Sequence, residues 1–448
     1  MATHANAMYK NPDEILCDAN GLSWTISYIG LIAKQEFSMG AQDRVVLREL
    51  ARKVAELAAQ PRQAQIAQRW KDHHALKATA PLIFCDPENA WYELIRTDEL
   101  RCKSSLGRIW EFKLRKEIYW AENIKDDRAV LPTFSVHYVW EKTSRGFDSK
   151  VVGGKDGSAY SWEAPLKAGI DLDVLHALKP AKLIVDRVRT KALEALAHDI
   201  FDGILEVKLE GVYWWSLGMT TDLIMLRGFE NVLFDFYDNP QGVHELMAFL
   251  RDENLAMLDY LEKNQLLTLN NGGDFHGTGG YAWTDELPVA DFKGNVRLKD
   301  MWGFCESQET VGVSPEMFAE FIFPYQLQML ERFGLNIYGC CEPLDTRIES
   351  VLKIPRLRKV TVSPWSSDEA MAERLGSNYV FCKKVNPSRI ATAEIDEGVI
   401  RAELHTAFTA AKKHNCPVEV LMRDVMTISG NPNNLIRWVQ IAREEAET

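Results

Sequence analysis

The sequence predicts an α/β protein, a (β/α)8 TIM-type barrel with an N-terminal mostly helical cap. Three observations carry this expectation. From Leu178 onward, short apolar runs alternate with amphipathic stretches of helical period, the pattern of a parallel sheet with crossover helices. About seven or eight such units fit into roughly 300 residues, which suits a closed barrel better than an open sheet. Several runs also end in Cys, Glu, Arg or Asp, and barrel enzymes place their chemistry at the carboxyl ends of their strands.

The elements follow in order. Residues 1 to about 40 read as irregular, with one apolar patch at Ile26 to Ile32. From Gln42 to Leu76, Val46, Leu50, Val54 and Leu57 recur at helical spacing, and Pro61 divides the stretch into two helices. The pair His73-His74 lies on the second, charged helix and is read as solvent-facing. Pro81-Leu82-Ile83-Phe84 reads as a strand and Glu88 to Ile95 as helical. Residues 1–130 are assigned to the cap and 131–448 to the barrel. Val151 to Leu166, with Gly153-Gly154 and Asp156-Gly157, is a turn-rich excursion. Helices are expected at Leu178 to Phe201, Pro240 to Asn264 (introduced by an Asn cap and an N1 proline), Pro315 to Phe333, Asp368 to Leu375 and Glu397 to His414. Strands are expected at Ile204 to Leu209, Leu266 to Leu269, Met301 to Phe304, Leu335 to Tyr338, Lys359 to Val362, Tyr379 to Phe381 and Val418 to Met422.

The totals exclude several classes. A formal charge of −12 argues against nucleic acid or an anionic membrane surface as the main partner. No apolar run is long enough for a transmembrane helix, and no basic segment leads into an apolar one at the amino terminus, so a cytoplasmic protein is expected. Eight cysteines in 448 residues do not form a disulfide framework. Four of them cluster at Cys305, Cys340, Cys341 and Cys382, which points to reduced thiols and a metal. Thiolates with one carboxylate suit zinc with an open position. The candidate ligands are Cys340 or Cys341, then Cys382, with Glu306 or Glu309; Cys341, Cys382 and Glu309 are the preferred set. Asp274, His276 and Glu306 are the candidate catalytic residues. Arg423 and Asp424 end another strand and are read as pairing with other charges. Tyr213, Trp283, Trp302 and Trp365, with Trp214 and Trp215 nearby, suggest a flat apolar slot for an aromatic ring.

These residues carry a resemblance. From about Leu178 to Ala446 the chain resembles the uroporphyrinogen decarboxylase superfamily. Phe229 to Pro240 is similar to that family's E-x-L-L-x-D-x-x-x-x-P helix junction. Ile337-Tyr338-Gly339-Cys340-Cys341-Glu342-Pro343 falls where the corrinoid-dependent methyltransferase branch has H-x-C-G. The resemblance implies a zinc site at the barrel mouth that activates a methyl donor, and a corrinoid (cobalamin) on a partner protein that takes the methyl group. Two departures stand out: the family histidine falls at Gly339, and the late P-G-C-G segment falls near Met426 to Gly430, which has no thiol. Cys382 and a glutamate then replace the missing ligands. The expected activity is O-demethylation of a methoxylated aromatic. A decarboxylase-type lyase working through a carboxylate such as Asp274 is the rival, with a non-catalytic small-molecule-binding barrel behind it. The lyase lacks its family's arginine-rich motif before Leu178. An oligomer is compatible with the sequence.

Overall fold

A computed structural model describes residues 37–77, 79–152, 161–211, 216–277 and 280–447. The apolar patch at Ile26 to Ile32, the glycines of the 153–160 excursion, and Tyr213, Trp214 and Trp215 lie outside them. Helix α1 (Ala41–Ala58) buries Val46, Leu47, Val54 and Leu57 along one stripe and packs on α3 (Ser105–Tyr119). Helix α2 (Pro61–His74) opens on its N1 proline and buries Ile66, Trp70, His73 and His74. The two histidines are therefore not solvent-facing; both are fully buried, because their face of α2 packs under the central sheet rather than toward water.

That sheet has six parallel strands in the order β1 (Leu82–Cys85), β14 (Val418–Met422), β13 (Val380–Lys384), β12 (Leu357–Val362), β11 (Leu335–Tyr338) and β10 (Trp302–Cys305). The strands are short, apolar and buried along nearly their whole length, as expected of parallel strands covered by helices. The covering helices include α8 (Phe323–Leu330), α9 (Asp368–Leu375), α10 (Glu397–Lys413) and α11 (Pro432–Ala446). Strand β1 lies within the stretch assigned to the cap, yet it pairs with β14 and belongs to the sheet. It is an edge strand of that sheet, and its four apolar residues are buried because α11 packs on it and Phe275 and Tyr281 cover Phe84.

The sheet is not closed by strand pairing among the described residues. A second parallel pair, β2 (Thr133–His137) with β7 (Glu206–Glu210), stands apart from it. Small antiparallel pairs join β3 (Trp140–Lys142) to β6 (Leu183–Val185), and β4 (Lys150–Val152) to β5 (Ser161–Glu163). Helix α4 (Arg187–Phe201) packs on β2 and β7. The layer of α5 (Thr220–Arg227), α6 (Phe229–Asp238) and α7 (Pro240–Lys263) leads to the segment at 266–270. The strand expected there does not form a ladder; side chains do its bridging. Asn270 Nδ2 donates to the Trp302 carbonyl (3.1 Å) and its Oδ1 accepts from the Trp302 amide (2.9 Å), while Thr268 Oγ1 accepts from Gly211 N (3.0 Å).

Next, β8 (Gly272–Phe275) and β9 (Tyr281–Trp283) form a hairpin that packs against the inner face of the sheet. Phe275 and Tyr281 pack on Phe84 at 4.9 and 5.3 Å between ring centroids, and the Tyr281 carbonyl accepts from Lys359 Nζ at 2.8 Å. Trp283 exchanges backbone contacts with the His74 ring, its amide 3.2 Å and its carbonyl 2.9 Å from Nδ1. The hairpin and α2 together fill the amino-terminal end of the sheet with side chains. No helix among the described residues is long and apolar enough to cross a membrane.

Candidate functional site

The carboxyl ends of the strands gather a polar cluster. Side chains alternate along a strand, so Lys384 shares a face with Cys382, and Asp424 follows β14 directly. Strand β11 ends at Gly339, whose φ is +103° and whose missing Cβ would stand 2.8 Å from Leu344 Cδ1. Glycine there lets the chain turn tightly and deliver Cys340 and Cys341 to the mouth. Asp424 itself sits at φ 60°, a strained position for a non-glycine residue that turns its carboxylate to Lys384.

Lys384 Nζ is the hub. It lies 3.3 Å from Cys341 Sγ, 3.5 Å from Cys340 Sγ and 2.5 Å from Asp424 Oδ2. The two sulfurs are 3.4 Å apart, and Cys341 Sγ is 3.5 Å from Asp424 Oδ2. Burial opposes charge on Lys384, but the Cys340 sulfur and the Asp424 carboxylate outweigh it and hold its pKa well above the ordinary lysine value. Burial likewise opposes charge on Asp424, and Lys384 reverses that, lowering its pKa. Cys340 is buried, and burial keeps its thiol protonated well above the ordinary range. Cys341 is the partly exposed member of the pair.

Beside the thiols stand three carboxylates. Glu342 accepts from the amides of Ser307 (2.8 Å) and Cys340 (2.9 Å). Glu309 accepts from the hydroxyls of Thr220 (2.6 Å) and Thr221 (2.7 Å). Glu306, buried under the segment that begins at Ser216, accepts from Ser216 Oγ (3.1 Å) and Gln308 N (3.0 Å). Burial first, then the charges of Glu309 and Glu342, raise its pKa well above the ordinary carboxylate value and favour its protonated form. On the other flank, Arg423 pairs with Glu88 and donates to the Gly277 carbonyl (2.7 Å). Burial lifts Glu88 to about 7 against the pull of Arg423.

The mouth therefore unites Cys340, Cys341, Glu306, Glu309 and Asp424. It does not unite Cys341 with Cys382. Strand β13 continues two residues past Cys382, which leaves that thiol mid-strand, opposite Glu419. Among the described residues only His73, His74 and Glu419 bring three metal-ligating atoms within 4.8 Å of one another. The set Cys341, Cys382 and Glu309 thus does not fit zinc: its members are not drawn together, Glu309 is spent on two threonines, and an ammonium already lies against the thiols. Asp274 and His276 also stand elsewhere. His276 holds Asn270 through its ring, Nε2 2.8 Å from the Asn270 carbonyl, and burial lowers its pKa to about 4. Asp274 faces a separate cavity of about 590 Å³ between β2, β7 and the hairpin, lined also by Lys113, Arg128, Lys208 and Glu210. Burial and Glu210 raise its pKa to about 7.

Among the described residues, Trp283, Trp302 and Trp365 do not come together as a slot. Trp302 opens β10 and Trp283 ends β9, so both sit at the amino end, around His74. Trp365, after β12, is 69% exposed at the rim. Lys384, the hub, is the functional residue that reading by apolar runs overlooks. Its signal is period-two spacing from Cys382, hidden because two adjacent lysines look like the end of a strand.

No family model matches this sequence, and no curated protein does. Among solved structures, a methyltransferase from Methanosarcina mazei aligns over 85% of this chain and 98% of its own, with 9% identity and a TM-score of 0.45.

Proposed function

We propose that the chain is a methyltransferase that works at the carboxyl-terminal mouth of its sheet, with Cys341 as a relay nucleophile. The observation that carries this reading is the Lys384 ammonium set against the Cys341 sulfur at 3.3 Å and anchored by Asp424. A partly exposed sulfur with an ammonium at its side is placed to attack a donor at the mouth. The donor's methyl–oxygen bond breaks as the methyl–sulfur bond forms, and the oxygen leaves with the donor's bonding electrons. Glu306 supplies the proton that oxygen needs. An aryl methyl ether is the favoured donor, because its phenoxide is a poor leaving group that gains from a protonated acid held in a dry site. The methyl group then passes from sulfur to an external acceptor and the thiolate returns to Lys384. The acceptor proposed is the cobalt(I) of a corrinoid carried by a separate protein. Val311, Trp365 and Met426, large, exposed and placed after β10, β12 and β14, supply an apolar rim for such a partner. The barrel architecture, with β2, β7 and the 266–270 segment completing the circuit, belongs to the same proposal.

The test supplies a methoxybenzene with and without a cobalt(I) corrinoid. Without acceptor, one methyl group is expected on the Cys341 peptide by mass spectrometry; with acceptor, the cobalt(I) absorption is lost. Unchanged transfer by Cys341→Ser would sink the relay. A lyase of the decarboxylase type is favoured by one observation, Asp274 set in a cavity with Lys113, Arg128 and Lys208, its pKa raised by burial to about 7. Release of carbon dioxide from a carboxylated substrate, abolished by Asp274→Asn, would select it.

A further inference from the structure

The amino-terminal end of the sheet holds a cluster that the mouth chemistry does not use. Glu419 of β14, Lys359 of β12 and Cys382 of β13 are fully buried, and α2 brings His73 and His74, also fully buried, against them. Glu419 Oε2 lies 3.3 Å from Nε2 of each histidine. Its other oxygen, Oε1, lies 2.7 Å from Lys359 Nζ, which fixes the carboxylate's orientation.

Three features of this geometry are those of a ligand set. Donors held about 2.0–2.1 Å from a tetrahedral zinc lie roughly 3.3–3.4 Å apart, and both histidine–glutamate edges have that length. The far nitrogen of each ring has an outer partner: His74 Nδ1 is 2.9 Å from the Trp283 carbonyl and His73 Nδ1 is 3.1 Å from Thr79 Oγ1. His74 Nδ1 lies between the Trp283 amide and carbonyl, which holds the ring with Nε2 turned to Glu419, as outer partners orient metal-bound histidines. His73 Nε2 is buried and lies 3.3 Å from Glu419 Oε2 without a well-aligned hydrogen bond to it.

We propose that His73, His74 and Glu419 form a buried site for a divalent transition metal, zinc being the ion that this nitrogen–oxygen set suits. Cys382 stands opposite Glu419 in the strand register, beside the three-donor set. The metal ties α2 to β14 and closes the floor of the sheet. The proposal does not rest on methyl transfer at the mouth.

Full-length protein produced with zinc in the medium and dialysed against a chelator is assayed by elemental analysis. About one zinc per chain is expected, lost in His73→Gln and His74→Gln and kept in Cys340→Ser and Cys341→Ser. Because the histidine variants carry a folding risk, wild-type chain is also unfolded with chelator and refolded with or without one equivalent of Co(II). Tetrahedral Co(II) absorption and a melting temperature raised by several degrees are expected. Native refolding with no bound cobalt and an unchanged melting temperature overturns the site. Zinc retained by both folded histidine variants but lost from Cys341→Ser overturns it as well, by placing the metal at the mouth.

Discussion

At its carboxyl end the central sheet places Lys384 between two sulfurs and a carboxylate that is 39% exposed; at its amino end it places Lys359 against a carboxylate with no exposure at all. Both lysines rise from neighbouring strands onto the same inner face, and both meet an acid from β14 or the residues after it. What differs is the lid. The mouth is bounded by loops, and the other end is stopped by α2 and the β8–β9 hairpin. A sealed pair has no water to replace a lost partner, so its worth is structural. A pair that water reaches can change partners, which is what a reaction requires.

The largest expected effect separates the ends by stability. In the metal-free chain, Lys359→Met leaves Glu419 charged and uncompensated in a dry interior, and should cost about 3–5 kcal/mol in denaturant unfolding. Lys384→Met should cost clearly less, because Asp424 turns to solvent; equal losses would erase the distinction. Catalysis should reverse the ranking. Cys341→Ser and Lys384→Met should each lower methyl transfer by roughly 100-fold or more while Cys340→Ser, a buried neutral thiol, lowers it less. Equal losses in the two cysteine variants would remove the relay.

The ends also titrate in opposite senses. Burial, with Lys359, depresses His74 to about 3, below the ~6.5 of an unfolded histidine. The native floor therefore binds fewer protons than the unfolded chain across that window. Stability is full above about pH 6.5 and declines as pH falls toward 3, by at most ~1.4 kcal/mol per pH unit per group. Glu306 and Glu88 are raised instead, so their burial costs stability as pH rises above ~4.5, for Glu88 up to about 7. Glu306→Gln should flatten this alkaline decline and remove the high-pH limb of the activity profile; a wild-type slope in the variant would clear Glu306 of both roles. The smallest effect expected is at the rim. Trp365→Ala should weaken docking of a corrinoid protein several-fold and leave transfer to free cobalamin unchanged.

The strands of the sheet were legible because a parallel strand buried on both faces is a mostly apolar run: Leu335 to Tyr338 and Val418 to Met422 coincide with the observed elements, with only Asn336 and Glu419 interrupting them. Helices with marked ends, such as that opened by Asn239 and Pro240, were equally plain. What escaped was charge in unexpected places. Lys383 and Lys384 prolong β13 although they read as its end, and that error put Cys382 at the mouth instead of two residues below it. His73 and His74 were hidden for the same reason. A charged helix looks solvent-facing until the sheet above is seen to hold Glu419. The closure at 266–270 escaped because asparagine and threonine side chains do there what backbone ladders do elsewhere.

Among the described residues, the hairpin and α2 fill the far end of the sheet, so the proposed reaction opens at the mouth. Methyl donor, demethylated product and acceptor must all use the same opening, and a protein-sized acceptor seated on Trp365 and Met426 would cover it. The phenol therefore has to depart before the acceptor docks, which makes the kinetics ping-pong. Double-reciprocal plots at several acceptor concentrations should be parallel, and excess donor should compete with the acceptor for the methylated enzyme. A stoppered floor would thus dictate the order of events at the far end of the molecule.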